Sequence, residues 1–303
     1  MLWVQVPLFT QYLNYLKINS MKQKIKYLKN TFLSPVLKVS NPNTPGTRHY
    51  KYISKNVLSK NNKLLKPLIF KIQRAYGRSS NTGHITVRGR SRGCKNLYRK
   101  LFFFNKSFLG IVLFSLYDPN RTAFVSAVFD FLSYKFVFIP MIHNQCSGSI
   151  VGCKEPNYRY FKGFRYQLLH QLNGSVISLL SKNIQPSAKY ARAAGTYCQL
   201  LFKSQTTCKV RLPSSQIINV SPLCFATLGT VSNIYQRFIS VGKAGRNRLR
   251  GFRPKVRGIA MNPVDHPHGG RSNGGCCWVT PWGKPFRFRK TSRSSTKKIY
   301  KLL

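Results

Sequence analysis

Residues 108–139 read FLGIVLFSLYDPNRTAFVSAVFDFLSYKFVFI, three β-favouring runs separated by two turns. Phe108 to Tyr117, Thr122 to Phe129 and Tyr134 to Ile139 are rich in the β-branched and aromatic types that fit a pleated, half-buried surface. Between the first two runs stands Asp118-Pro119-Asn120-Arg121. Asp at the first turn position can bond the backbone ahead of it, Pro presets φ at the second, and Asn tolerates the third. The reading is a hairpin with Asp118 as a structural acid. A run at Leu97 to Phe104 and basic glycine-containing loops at Gly77 to Ser80 and Arg88-Gly-Arg-Ser-Arg-Gly93 extend this meander toward the N-terminus. A second set of short strands falls at Gly174 to Leu180, Thr196 to Phe202, Thr206 to Leu212 and Gln216 to Val220, at the close spacing of a small barrel. The expected fold is mainly β, with two consecutive barrels. Of three adjacent phenylalanines, Phe102, Phe103 and Phe104, a strand can turn at most one or two outward, so most of them are expected in the core.

The chain has 303 residues, 51 Lys or Arg and 4 Asp or Glu, a formal net charge of +47. A body with so little compensating charge repels itself when compact, so a polyanionic partner is required. With 43% hydrophobic residues it can nevertheless bury a core. The acids are Asp118, Asp130, Glu155 and Asp265, and no two are close enough in sequence to suggest the carboxylate pairs of glycosidase or two-metal chemistry. The eight cysteines include no Cys-x-x-Cys, which argues against a zinc ribbon and for reduced, individually buried thiols. No apolar run reaches the roughly 20 residues of a membrane span. Residues 1–75, punctuated by Asn41-Pro-Asn-Thr-Pro-Gly46, read as an N-terminal arm, whose stretch 8–30 is amphipathic and acid-free.

From Val241 to Ala260 the sequence VGKAGRNRLRGFRPKVRGIA carries seven cations, Lys243, Arg246, Arg248, Arg250, Arg253, Lys255 and Arg257, among glycines and one proline. Guanidinium forks suit phosphate oxygens, and glycine permits close backbone approach. The bland alternative is a solvated basic linker. Met261-Asn-Pro-Val-Asp-His-Pro-His-Gly-Gly270 follows, with two histidines two apart beside an acid. Pro267 opposes the regular helix or strand that usually presents metal ligands, so a metal site is disfavoured, as is a His–Asp general base lacking a visible nucleophile. Beyond Gly242 there is too little apolar periodicity to offset chain entropy, so the segment is expected to order only on its partner. His84 and His143 carry no assigned role.

The run KAGRNRLRGFRPKVRGIAMNPVDHPHGG, with VTPWG at 279–283, AGTY at 194–197, ATLG at 226–229, YDPNR at 117–121 and TPGTRHY at 44–50, resembles large-subunit ribosomal protein two, the L-two family. The landmarks occur in the family's order and cover roughly residues 42–300. The resemblance implies an oligonucleotide-binding-fold (OB) barrel over 76–155, an SH3-like barrel over 156–240, and a basic extension over 241–303 buried in large-subunit rRNA, with the arm at 1–75. It implies no enzyme activity, no cofactor beyond rRNA-associated magnesium, and no small-molecule substrate. It implies rRNA, neighbouring ribosomal proteins and the small subunit as partners. The family histidine that supports the peptidyl transferase centre corresponds to His266. Carried onto this chain, rRNA contacts are expected from Arg88, Arg90, Arg92, Arg121, Arg192, the seven cations from Lys243 to Arg257, Asn262, Asp265, His266, His268, Gly269, Gly270 and Trp282. In this reading Asp265 orients an imidazole, while Gly269 and Gly270 admit the RNA backbone.

Departures from the family pattern include Leu249 where Trp is common, Arg271 in place of a third glycine, a shortened 269–278 segment, and QPSAKYA before Arg192. Scarce acids with abundant Phe, Tyr, Asn and Lys suggest a mitochondrial, organelle-encoded copy. The competing class is a free basic RNA-binding or nucleoid protein outside the ribosome, against which the MNPVDHPHGG landmark argues. A membrane contact through residues 8–30 would be accessory.

Overall fold

A computed structural model of the chain describes residues 37–56, 58–59, 63–72, 76–104, 108–153, 161–184, 187–270 and 278–285. The amphipathic stretch 8–30, Glu155, Arg271, Cys276 and Cys277 lie outside the described residues. The chain divides into two compact units, residues 1–74 with 94–247 and residues 75–93 with 248–303.

The first unit begins with the antiparallel pair β1 (Leu37–Val39) and β2 (Lys51–Ile53), followed by a second pair, β3 (Ile69–Ile72) and β4 (Asn96–Arg99). The OB barrel is built on β5 (Phe108–Leu116), β6 (Val125–Asp130), β7 (Lys135–Pro140) and β8 (Ile150–Cys153), all antiparallel in the order β7-β6-β5-β8. Along β5 the first residues alternate between core and surface, the period-two pattern of a half-buried strand. Gly110 is required there, because a Cβ would sit 2.6 Å from the Phe129 carbonyl oxygen. Phe108, Val112, Val128 and Val151 form one part of the core, and Leu116, Val125, Ala127 and Phe138 another.

The SH3-like barrel follows with β9 (Arg165–Gln167), β10 (Val176–Ser178), β11 (Leu180–Ser181), β12 (Ala188–Tyr190), β13 (Cys198–Lys203), β14 (Cys208–Arg211), β15 (Ile217–Val220) and β16 (Phe225–Leu228). Six of them form an antiparallel sheet in the order β15-β14-β13-β10-β16-β9, and β11 pairs with β12. Leu168, Ile177, Leu180, Leu200 and Val210 fill its centre together with Cys198, Cys208 and Cys224. Burial raises all three of these thiols, Cys198 to about 11. They therefore stay protonated and act as small apolar groups. The barrels meet along Ile142 and Val231, which share an antiparallel bridge, and the Phe124 amide donates to the Ser232 hydroxyl at 3.1 Å.

The arm reading of residues 1–75 differs from the structure over its described part. Ile53 and Leu65 are buried in the barrel cores, Leu65 only 1% exposed, because the turns that punctuate 41–68 bring apolar residues back onto β5–β7. The run Leu97–Phe104 is a strand only as far as Arg99. Leu101 then bridges Phe138 in parallel, and Phe102–Phe104 leave the ladder. In its described part, residues 243–270 and 278–285, the segment after Gly242 forms a short helix α1 (Ala244–Leu249) and a series of turns.

Asp118 closes the β5–β6 connection as the turn chemistry requires. It is fully buried and accepts from Arg121 Nε at 2.6 Å and from the Asn120 amide at 3.0 Å, with Arg99 Nη1 at 3.8 Å. Removing the carboxylate strips the counter-charge from a guanidinium, that of Arg99, which is only 3% exposed. Asp118→Ala is expected to lower unfolding stability by about 3–5 kcal/mol, read as a drop in urea midpoint at unchanged slope. Arg121→Ala, at the more exposed end of the same pair, should cost less.

Candidate nucleic-acid interface

Within the second unit, residues 88–93 lie alongside 249–253 like two short strands. Arg90 and Phe252 form an antiparallel bridge, the Ser91 amide donates to the Gly251 carbonyl at 2.9 Å, and the Arg253 amide donates to the Gly89 carbonyl at 3.0 Å. The alternation Arg-Gly-Arg-Ser-Arg-Gly makes this packing feasible. A Cβ on Gly93 would stand 2.6 Å from the Leu249 carbonyl oxygen and 2.7 Å from the Gly251 nitrogen, and Gly93 has φ +64°. The small residues let the two backbones approach, which leaves the intervening arginines exposed.

Each of those arginines rests on an aromatic ring. The guanidinium carbon of Arg92 lies 4.4 Å from the centre of Tyr76, that of Arg90 4.6 Å from Phe252, and that of Arg88 5.9 Å from Trp282. A cation over a ring gains about 0.5–1 kcal/mol at an exposed site. More usefully, it narrows the rotamers of a side chain that otherwise loses about 2 kcal/mol of entropy when fixed. The sequence singled out the cations and Trp282 but missed Tyr76 and Phe252 as their supports. Arg248, Arg250, Arg253, Lys255 and Arg257 are also exposed in this unit.

Beside them the 261–270 loop closes on itself. The Asp265 and His266 amides both donate to the Asn262 carbonyl, Gly269 donates to the His266 carbonyl at 2.8 Å, and Gly270 donates to the Met261 carbonyl at 3.1 Å. His266 is 8% exposed and lies against Gly258, where a Cβ would come within 2.8 Å of its ring. Its Nδ1 accepts from the His268 amide at 3.0 Å, while His268 Nε2 accepts from the Val279 amide at 3.2 Å. Both rings are thus acceptors, which only neutral imidazole can be at those atoms. Burial, then His268 and then Arg88 hold His266 below the ordinary imidazole pKa.

One expectation about this loop needs correction. Asp265 is exposed and forms no ion pair with either imidazole; the His268 amide and the packing against Gly258 orient His266 instead. Gly269 is required by the loop itself, since its Cβ would collide with the Asn262 carbonyl, so its smallness is used internally. Asn262 likewise supplies its carbonyl to the loop, with its side chain in an exposed residue.

In the first unit the predicted cations divide by what they touch. Arg192 and Lys243 are exposed. Arg121 is engaged with Asp118 and with the Arg99 carbonyl at 3.0 Å. Arg246 stacks on Tyr50 at 3.6 Å and donates to the Val241 carbonyl at 2.9 Å, tying α1 to the 44–50 turn. These two arginines therefore hold the protein together before they can hold anything else. Among the described residues no three His, Cys, Asp or Glu side chains gather as a metal site would require.

Comparison with known proteins matches residues 65–151 to the family described as Ribosomal Proteins L2, RNA binding N-terminal domain, and residues 162–294 to Ribosomal Proteins L2, C-terminal domain. The large ribosomal subunit protein uL2 of Brucella canis is 39% identical over 274 residues, 87% of this chain and 96% of the relative. The uL2 of Phenylobacterium zucineum is 36% identical over 264 residues, 85% of this chain and 93% of the relative. That of Dinoroseobacter shibae is 36% identical over 277 residues, 88% and 95% respectively. With both of its barrels matched in order and relatives of this identity aligned along nearly their whole length, the chain belongs to the ribosomal protein L2 family.

Proposed function

We propose that the chain is an rRNA-binding structural constituent of the large subunit of a mitochondrial ribosome, and that the ring-supported arginines Arg88, Arg90 and Arg92 are its principal phosphate-binding comb. The observation that carries this is their arrangement: three exposed guanidinium groups on alternate residues, each braced by a ring, in a unit whose sequence contains a single acid, Asp265. Pre-positioned donors bind a phosphate backbone without first paying to order themselves. Arg192, Lys243 and the exposed cations from Arg248 to Arg257 add further contacts. The OB domain over 76–155 and the SH3-like domain over 156–240 recognise RNA by shape, since paired RNA hides its major-groove edges. No chemistry is assigned to the protein itself.

Within this reading His266 acts by architecture. Its neutral ring fixes the backbone of 266–268, and His268 in turn fixes Val279 and so the hairpin carrying Trp282. The loop and Arg88 are thereby presented together to RNA, in support of the peptidyl transferase centre, of subunit assembly and of association with the small subunit. The mitochondrial compartment is supported by composition, four acids against 21 Phe and 16 Tyr. Sedimentation of a mitochondrial lysate through a high-salt, low-magnesium gradient tests it. Co-migration of the chain with large-subunit rRNA is expected, and release into light fractions would favour a free RNA-binding protein.

Replacing Arg88, Arg90 and Arg92 together by Ala should reduce the log–log salt slope for binding a large-subunit rRNA transcript by roughly 0.7–0.9 per lost contact, about 2–3 in all. An unchanged slope would remove the comb from the interface. The His266 latch has a pH signature. Its folded pKa lies below the unfolded value of 6.5, so the unfolded loop binds more protons between the two. The stabilisation is complete above pH 6.5 and is lost as the pH falls through the folded value. Exchange of the His268 amide hydrogen, corrected for intrinsic rate, should accelerate over that acid range in the full chain and lose this dependence in His266→Ala.

A further inference from the structure

At the seam of the two barrels, inside the first unit, lies an open cleft lined by Phe102 and Phe104 before β5, Pro140 at the end of β7, Gly152 on β8, Arg165 on β9 and Thr227 on β16. None of these residues belongs to the arginine comb or the histidine loop. Phe102 is 49% exposed, and its backbone is pinned by a hydrogen bond that its amide donates to the Phe138 carbonyl at 2.7 Å. Behind it stands a column of rings: Phe104 at 4.7 Å centre to centre and, stacked on Phe104, Phe108 of the OB core. The outer ring is therefore anchored to the core while remaining available to solvent.

The polar end of the cleft is equally fixed. Arg165 is only 5% exposed, its Nη1 donates to the Leu179 carbonyl at 3.4 Å, and its guanidinium lies 5.7 Å from the Phe103 ring and 6.0 Å from that of Phe225. Exposed lysines flank the opening in sequence, Lys100 two residues before Phe102 and Lys162 one before Gly163, another lining residue. An apolar peptide would gain nothing from the guanidinium that lines the cleft. A nucleotide uses both elements, with a flat base for the ring and acceptor atoms for the guanidinium.

We propose that this cleft takes one unstacked base of an RNA strand, with Phe102 as the stacking platform and Arg165 donating to the base edge. The inference rests on the reading that the chain binds RNA, but it assigns a second site, distinct in residues and in chemistry from the phosphate comb. The comb reads charge along a backbone; the cleft selects a base that is out of its helix, at a bulge, loop or single-stranded joint.

The test uses the full chain and a short single-stranded RNA carrying one 2-aminopurine, whose fluorescence falls when the base stacks. Wild-type protein should quench it on binding. Phe102→Ala should weaken binding about 5- to 150-fold at one fixed salt concentration, abolish the quenching and leave the salt slope unchanged. Phe102→Trp should keep both affinity and quenching. Phe102→Leu, which retains apolar bulk and guards against a packing defect, should behave as Phe102→Ala, with circular dichroism unchanged. Wild-type affinity and quenching in Phe102→Leu would overturn the cleft assignment while leaving RNA binding intact. Failure of the wild-type chain to bind the RNA at low salt would overturn both.

Discussion

The Asp118 carboxylate takes Arg121 at 2.6 Å and has Arg99 at 3.8 Å, and both ion pairs between described residues end on it. This concentration follows from composition, because 51 cations share four acids. A folded cation in such a chain must find a partner other than a carboxylate. The structure uses rings and carbonyl oxygens: Arg246 on Tyr50 and the Val241 carbonyl, Lys203 on the Leu169 and Gln171 carbonyls, Arg165 between Phe103 and Phe225. Such partners orient a guanidinium or ammonium without neutralising it. The net charge survives folding, and with it the attraction for a polyanion that makes the compact state worth adopting.

The same scarcity separates what the sequence displays from what it hides. Residues 108–139 were legible because hydrophobic period, β-branched content and a turn with defined chemistry agreed with one another. Strands at Ile150–Cys153, Arg165–Gln167 and Phe225–Leu228 carry no legible local signal, since three or four residues are too few to show a period. Ile53 and Leu65 were hidden for another reason. Their neighbours are turn-formers, and only a long-range pairing, invisible to local pattern, carries them into the core.

Across the candidate interface the cations are plain in the sequence and their local partners are not. Nothing local distinguishes Arg90, exposed on Phe252, from Arg246, which is engaged with Tyr50 almost two hundred residues away. The alternation Arg-Gly-Arg-Ser-Arg-Gly held a usable signal. A period of two with small residues on one face describes a strand laid against another backbone, which is how it docks. Asp265 shows the opposite case: an acid next to a histidine in sequence suggested a dyad, yet the loop's turns carry its side chain to solvent and give the imidazole a backbone amide instead.

The barrels and the second unit are stabilised by different physics. The barrels bury Val, Leu, Ile and Phe and tolerate short strands because their cores are continuous. From residue 248 to 270 only Gly251 and His266 are buried, so the course of that segment depends on backbone hydrogen bonds and on the absence of side chains where chains meet. Glycine is thus the structural residue of the second unit in the sense that valine is of the first. A side chain at Gly93 would push Leu249 and Gly251 away, lose the bonds that align Arg88, Arg90 and Arg92, and leave the net charge as it was. Charge brings RNA to such a surface, whereas the geometry that turns attraction into a defined contact is set by residues that carry no charge at all.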